Sequence, residues 1–123
     1  MLGFKIFGMS QRIARVNELI KRELSQIIVR EIEPPEGSLI TITRVETSRD
    51  LAEAKVWISI FPITKANELL KILLRRAGYL QKFLNKKLIM KSVPGIKFLL
   101  DRSEVRASQV ESILNKIEEG GGG

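Results

Sequence analysis

Four prolines stand at three places, Pro34-Pro35, Pro62 and Pro94, and they limit every regular element this chain can form. Proline fixes its own φ and carries no N–H, so it is excluded from helix interiors and central strands. Each cut is also a change of apolar rhythm. Before the first, Ile13, Val16, Ile20, Leu24, Ile27 and Ile28 recur at three- and four-residue intervals, which predicts a helix from Ser10, its N-cap, to about Glu31. Glu33 to Gly37 then turn the chain. Before Pro62 the rhythm is that of strands, about Ser38 to Glu46 and Ala52 to Phe61, joined by the turn-prone Ser48, Arg49 and Asp50. A hairpin is expected, with Ala52, Ala54, Val56, Ile58 and Ile60 on the core face and Glu53, Lys55, Trp57 and Ser59 on the other.

After Pro62 the helical interval returns at Ala66, Leu69, Leu70, Leu73, Leu74 and Ala77, with Thr64 placed to cap it, and resumes at Leu80, Phe83, Leu84 and Leu88. A glycine inside a helix costs about 1 kcal/mol relative to alanine, so two helices meeting at a kink near Ala77 and Gly78 are expected rather than one. Beyond Pro94 and Gly95, Ile96 to Leu100 predict a third strand, and Val110, Ile113, Leu114 and Ile117 predict a last helix from about Ser103. The order α-β-β-α-kink-α-β-α is an α+β layer arrangement, helices packed on a three-stranded sheet. The 123 residues contain no internal repeat and no long linker. One domain is expected over 10–117, with an N-terminal extension at 1–9 and a flexible tail at 118–123.

Composition removes most catalytic readings. The chain has no cysteine and no histidine. That excludes a disulfide framework, a thiolate nucleophile and a cysteine zinc site, and removes the commonest general base and metal ligand. No cofactor is expected. The apolar start, Met1 to Met9, carries one lysine and breaks at Gly3 and Gly8, too short for a signal peptide or a membrane span. A monomeric cytoplasmic protein without a membrane partner is expected.

Lysine and arginine total 21 against 14 aspartate and glutamate, a net charge of +7. The excess is concentrated. Residues 31–64 and 98–123 are net acidic, whereas 65–97 hold Lys65, Lys71, Arg75, Arg76, Lys82, Lys86, Lys87, Lys91 and Lys97 against Glu68 alone. A solvated helix face ordinarily mixes signs; a single-sign face repels itself, and a polyanion relieves that repulsion. The stripe is therefore read as a nucleic-acid footprint. A helix starting near Gly78 would aim backbone N–H groups and a positive dipole end at a phosphate, with Arg75 and Arg76 beside it. Gly78 serves either close approach of a phosphate or tight helix-to-sheet packing. Tyr79 and Trp57 are the aromatics most able to stack a base, and a packing role fits each as well. On the first helix, Arg12, Arg15, Lys21 and Arg22 either extend the RNA-facing surface or serve solubility.

Taken together, several short stretches resemble the ribosome-binding factor A family. They are Arg12-Ile13-Ala14-Arg15-Val16, Ile42-Thr43-Arg44-Val45-Glu46 with Ser48, Asp50, Leu51 and Ala54-Lys55-Val56, then Ala77-Gly78-Tyr79-Leu80, Val93-Pro94, and Phe98 through Asp101 to Ser103. The resemblance runs from about Ser10 to Ile117. It implies a type II KH-like fold in which a kinked helix-helix junction replaces the phosphate-clamping G-x-x-G loop. The family pattern at that kink is Ala-x-Gly. Here it is Arg76-Ala77-Gly78, which keeps the glycine hinge and adds a positive charge. The resemblance also implies binding to the free 30S subunit and 16S rRNA during late maturation and cold adaptation, support for processing of the 16S rRNA 5′ end, and no enzymatic activity. The hinge carried over is Ala77 and Gly78. The RNA contacts expected are Arg75, Arg76, Gly78, Lys82, Lys86, Lys87 and Lys91, with Arg12, Arg15 and Arg22 on the first helix.

Two rival readings come from other classes. A protein-binding adaptor would dock a ribosomal protein or an assembly GTPase through its helices. A nuclease would need clustered carboxylates around a metal, and only Glu46, Asp50 and Glu53 near the hairpin turn offer one.

Overall fold

The computed structural model describes residues 2–102, with side chains described from residue 11. The last helix expected from Ser103 and the tail at 118–123 lie outside the described residues, as do the side chains of the extension at 1–9. Helix α1 (Leu2–Glu31) runs through Ser10 without interruption. Ser10 is thus an interior helical position, not the expected N-cap, which requires a residue outside the helical φ/ψ region. No proline stands in the first nine residues to stop the helix there. At its other end the chain turns after Ile32, and Gly37 takes φ +80, the left-handed region open to glycine.

Strands β1 (Leu39–Thr47) and β2 (Glu53–Phe61) form the expected antiparallel hairpin, and β3 (Gly95–Leu100) pairs with β2 in parallel, giving a three-stranded mixed sheet in the order β1-β2-β3. The central strand shows why one face is core: Ala54, Val56, Ile58 and Ile60 are all buried, while Glu53 and Lys55 are exposed opposite them. Ala52, expected on the core face, is exposed and lies just before the strand, in the turn. Register slips at Thr43, which sits as a bulge between Ile42 and Arg44. Its freed groups are used elsewhere: Thr43 Oγ1 donates to Asp101 Oδ2 at 2.7 Å, and the Thr43 carbonyl accepts from Lys21 Nζ at 3.3 Å.

Between β2 and β3 the chain makes a short 3-10 turn (Ile63–Lys65) and two helices, α2 (Ala66–Arg75) and α3 (Ala77–Lys87). Thr64 lies within the 3-10 turn; the residue preceding α2 is Lys65, and no side chain caps that helix. Helix α2 packs on β2 and β3, α3 packs on β3 and along α1, and α1 covers β1. The core between helices and sheet takes Val16, Ile20, Leu24, Ile27 and Ile28 from α1, Leu69 and Leu73 from α2, Leu80 and Leu84 from α3, and Phe98 from β3. Among the described residues no polar or charged residue is buried.

Two side-chain amides join helices to sheet. Asn17 Oδ1 accepts from the Thr47 N–H at 2.9 Å and from Thr47 Oγ1 at 2.6 Å, fixing α1 to the end of β1. Gln81 Oε1 accepts from the Ile96 N–H at 2.8 Å while its Nε2 donates to the Pro94 carbonyl at 3.0 Å, fixing α3 to the start of β3. Leu24 is fully enclosed between α1 and the sheet. Its truncation, Leu24→Ala, is expected to cost about 2–5 kcal/mol through lost burial and a residual cavity, measured as a lower urea midpoint with an unchanged slope.

Candidate nucleic-acid interface

The expected kink falls at one residue. Arg75 closes α2, Ala77 opens α3, and Arg76 between them has φ −99 and ψ 7, outside the helical region. The Arg76 N–H still donates to the Ile72 carbonyl, and the Arg76 carbonyl accepts from the Leu80 N–H, both at 3.0 Å, so the chain bends with little loss of hydrogen bonding. No side chain caps the start of α3. The N–H groups of its first turn lack acceptors within that helix. Ala77 is half-buried against the core and anchors the junction, whereas Gly78 is exposed.

Gly78 separates the two readings the sequence left open. A Cβ built there meets nothing within 4 Å, and its φ is not in the left-handed region. Neither tight packing nor backbone conformation requires a glycine. What it leaves is an open, flat stretch of helix. Gly78, Lys82 and Lys86 stand four residues apart on α3, which puts them in one row along the solvent side, opposite the buried Leu80 and Leu84. Arg75 and Arg76 border the glycine end of this row; Lys87 ends α3 and Lys91 lies in the following connection, all exposed.

Charge pairing sharpens the ridge. Among the described residues, the basic block has one ion pair, Lys65 with Glu68 at 3.7 Å on α2. Arg75, Arg76, Lys82, Lys86, Lys87 and Lys91 take part in none. On α1 the arginines divide: Arg22 faces Glu23 at 3.5 Å, while Arg12 and Arg15 have no acidic partner among the described residues.

The aromatics are not free platforms. Arg76 lies over the Tyr79 ring at 4.7 Å, Tyr79 meets Phe83 edge-on at 5.0 Å, and Arg30 lies over Phe83 at 5.3 Å. The Tyr79 hydroxyl donates to Glu31 Oε2 at 3.1 Å, and the other oxygen of Glu31 takes Arg30 Nε at 3.0 Å. This chain of contacts ties the end of α1 to the kink and holds two arginines at one end of the ridge. Arg30 and Glu31 were not singled out in the sequence, because nothing in the spacing of residues 48 apart signals that they meet. Trp57 is half-buried on the outer face of the sheet, with Arg44 over its ring at 4.5 Å and a buried Nε1 that has no hydrogen-bond partner among the described residues.

Near the hairpin turn Glu46 and Glu53 line one shallow hollow with Thr47, Ser48 and Lys55. Glu46 pairs with Arg44 at 3.3 Å, and Asp50 accepts from Ser48 Oγ at 2.7 Å and from the Ala52 N–H at 3.1 Å. Those hydrogen bonds, the Ser48 one first, hold the exposed Asp50 carboxyl below its ordinary value. Among the described residues no group of three acidic side chains is placed to hold a metal.

Comparison with known proteins agrees with this architecture. The family model described as ribosome-binding factor A matches residues 12–114. The ribosome-binding factor A of Pseudomonas aeruginosa is 38% identical over 108 residues, spanning 85% of this chain and 84% of that protein. That of Halothermothrix orenii is 34% identical over 110 residues, 89% of this chain and 90% of the other. The crystal structure of ribosome-binding factor A from Thermus thermophilus superposes with a TM-score of 0.64 at 25% identity, covering 74% of this chain and 97% of that one. A Thermus thermophilus homology model fitted into a cryo-EM map of a 30S complex gives a TM-score of 0.57 at 27% identity, covering 68% and 89%.

The open space at Gly78 makes a direct prediction. Gly78→Ala is expected to leave the fold intact and to raise stability by up to about 1 kcal/mol through helix propensity, read from thermal or urea unfolding. A loss of stability would instead mean that the glycine is there for packing.

Proposed function

Because the chain belongs to the ribosome-binding factor A family, we propose that it is a non-enzymatic assembly factor for the small ribosomal subunit. It binds the free 30S particle and its 16S rRNA in the cytoplasm, assists late maturation, including that of the 16S rRNA 5′ end, and supports this at low temperature. The observation that carries the reading is the ridge of Gly78, Lys82 and Lys86 beside Arg75 and Arg76, cationic and without ion pairs among the described residues. A relative fitted into a 30S complex supports the choice of partner. The binding unit is proposed to span 10–117.

The mechanism needs no covalent step. Phosphates of one rRNA arrangement meet the ridge, the arginines at the kink and the uncapped start of α3, and Gly78 admits the backbone closely because no side chain stands in the way. Binding one conformer of an immature subunit better than its alternatives shifts that population toward the bound form. Arg12 and Arg15 extend the contact along α1. Arg22 contributes less, since Glu23 faces it.

A protein-docking role has its own supporting observation: Leu39 and Phe61 are directly paired across the hairpin and 62% and 69% exposed. An assembly GTPase or a ribosomal protein would contact the factor there while the ridge holds RNA.

Sedimentation with separated 30S, 50S and 70S particles tests the proposal. Selective pelleting with free 30S, lost at high salt, is expected; equal pelleting with all three, or with none, contradicts it. Charge reversal at Arg75, Arg76 and Lys82 is expected to weaken 30S binding about tenfold or more while the fold stays cooperative, with stability lowered by no more than about 1 kcal/mol from the lost Arg76–Tyr79 contact. Gly78→Ala is expected to weaken binding while keeping its stability, and unchanged 30S affinity in both variants would remove the ridge from the interface.

A further inference from the structure

The β1–β2 turn brings an arginine the ridge does not include beside Arg12 on α1, remote from the kink. Arg49 lines a shallow hollow with Arg12, Ile13 and Leu51, and Arg12 lines the adjoining one with Gln11, Arg15 and Val16. Three arginines from two elements thus form one strip around an apolar floor. The turn that carries Arg49 is tightly held. The Ser48 N–H donates to the Glu53 carbonyl at 2.8 Å, and the Leu51 N–H donates to the Ser48 carbonyl at 2.9 Å. Leu51, half-buried against the core, sits at φ 60.

The neighbouring carboxylate makes its hydrogen bonds within the turn. Asp50 spends its Oδ1 on Ser48 Oγ and the Ala52 N–H, inside the turn. Among the described residues Arg12, Arg15 and Arg49 take part in no ion pair, unlike Arg22, Arg30 and Arg44. Like charges brought close without an ion-pair partner repel one another, and a bound anion relieves that repulsion. Arginine is also the side chain whose planar fork matches phosphate oxygens.

We propose that Arg49, with Arg12 and Arg15, forms a second phosphate-binding site, which together with the kink lets the protein bridge two separate segments of RNA backbone. The proposal rests on the RNA-binding reading above. Its geometry comes from α1 itself: Arg12 and Arg30 are 18 residues apart on one helix, a separation of about 27 Å at 1.5 Å per residue. Arg30 lies beside the kink through the Phe83 and Tyr79 rings. The two sites therefore lie well apart along α1, one near its C-terminal end and the other around Arg12. Bridging holds the distance between two rRNA elements, which a single basic patch cannot do.

The test is equilibrium binding of the full-length protein to purified 30S subunits over a series of KCl concentrations. Four proteins are compared: the parent chain, Arg12→Gln/Arg49→Gln, Arg75→Gln/Arg76→Gln, and the combination of all four substitutions. Each pair is expected to lower affinity about tenfold and to reduce the log-log salt slope by roughly 0.7–0.9 for each phosphate no longer neutralised. The combined variant is expected to lose about the product, because the sites are far apart and act on one bound state. Arg12→Lys/Arg49→Lys is expected to recover most of the binding by restoring the charge. All four replaced side chains are exposed, and cooperative unfolding within about 1 kcal/mol of the parent chain confirms the fold. Parent-like affinity and slope in Arg12→Gln/Arg49→Gln overturns this proposal alone. If the two sites were alternatives rather than simultaneous contacts, either pair alone would lose no more than about twofold, and that also overturns it. A parent chain that does not bind 30S overturns the RNA-binding reading on which it rests.

Discussion

The parallel pairing of β2 with β3 is the constraint from which the rest follows. A hairpin closes antiparallel strands in a few residues, but a parallel neighbour requires the chain to return across the sheet, a crossover of a dozen residues or more. Here the return must also cover the apolar face that β2 presents. A straight helix over residues 66–87 would be about 33 Å long, while β3, with six residues, extends about 20 Å. Breaking the crossover at Arg76 lets α2 lie over the strands and α3 lie beside α1, so both apolar stripes stay on one core. The kink is a consequence of topology before it is a feature of the interface.

The break also places charge. It leaves one helix start uncapped, exposes a glycine with open space around it, and sets Arg75 and Arg76 at the head of the Lys82 and Lys86 row. Left mobile, an arginine beside the kink would lose side-chain entropy on binding a phosphate. The rings of Tyr79 and Phe83, with Glu31, restrain Arg76 and Arg30 beforehand. An arginine over an aromatic face contributes about 0.5–1 kcal/mol at an exposed site and keeps its N–H groups available at the edge of the guanidinium plane. The tyrosine is thus a support for cations at the head of the ridge.

Much of this was legible in the sequence, and the reasons differ by element. The apolar intervals in α1, α2 and α3 and the alternation in β2 register burial directly, and the glycine at the junction marks the break to within two residues. Residues 12–114 match the family that those local stretches resembled. What was not legible depends on groups meeting across the fold. Ser10 and Thr64 have the right chemistry for caps, but the helix runs past the first and a 3-10 turn absorbs the second. Leu74 keeps the α2 interval yet is exposed, because the buried stripe of α2 runs through Ala66, Leu69 and Leu73 and Leu74 lies off it. The Tyr79–Glu31 contact and the convergence of Arg12 with Arg49 join residues that no periodicity connects.

The absence of cysteine allows a direct measurement of which face meets RNA, since one engineered cysteine is a unique tether. Iron-EDTA attached at Lys82→Cys, on the ridge, is compared with the same probe at Lys55→Cys, exposed on the outer face of the sheet, each bound to 30S subunits. The account requires localised hydroxyl-radical cleavage of 16S rRNA from position 82, clearly stronger than from position 55. Strong cleavage from position 55 with little from 82 would put the sheet against the RNA and contradict it.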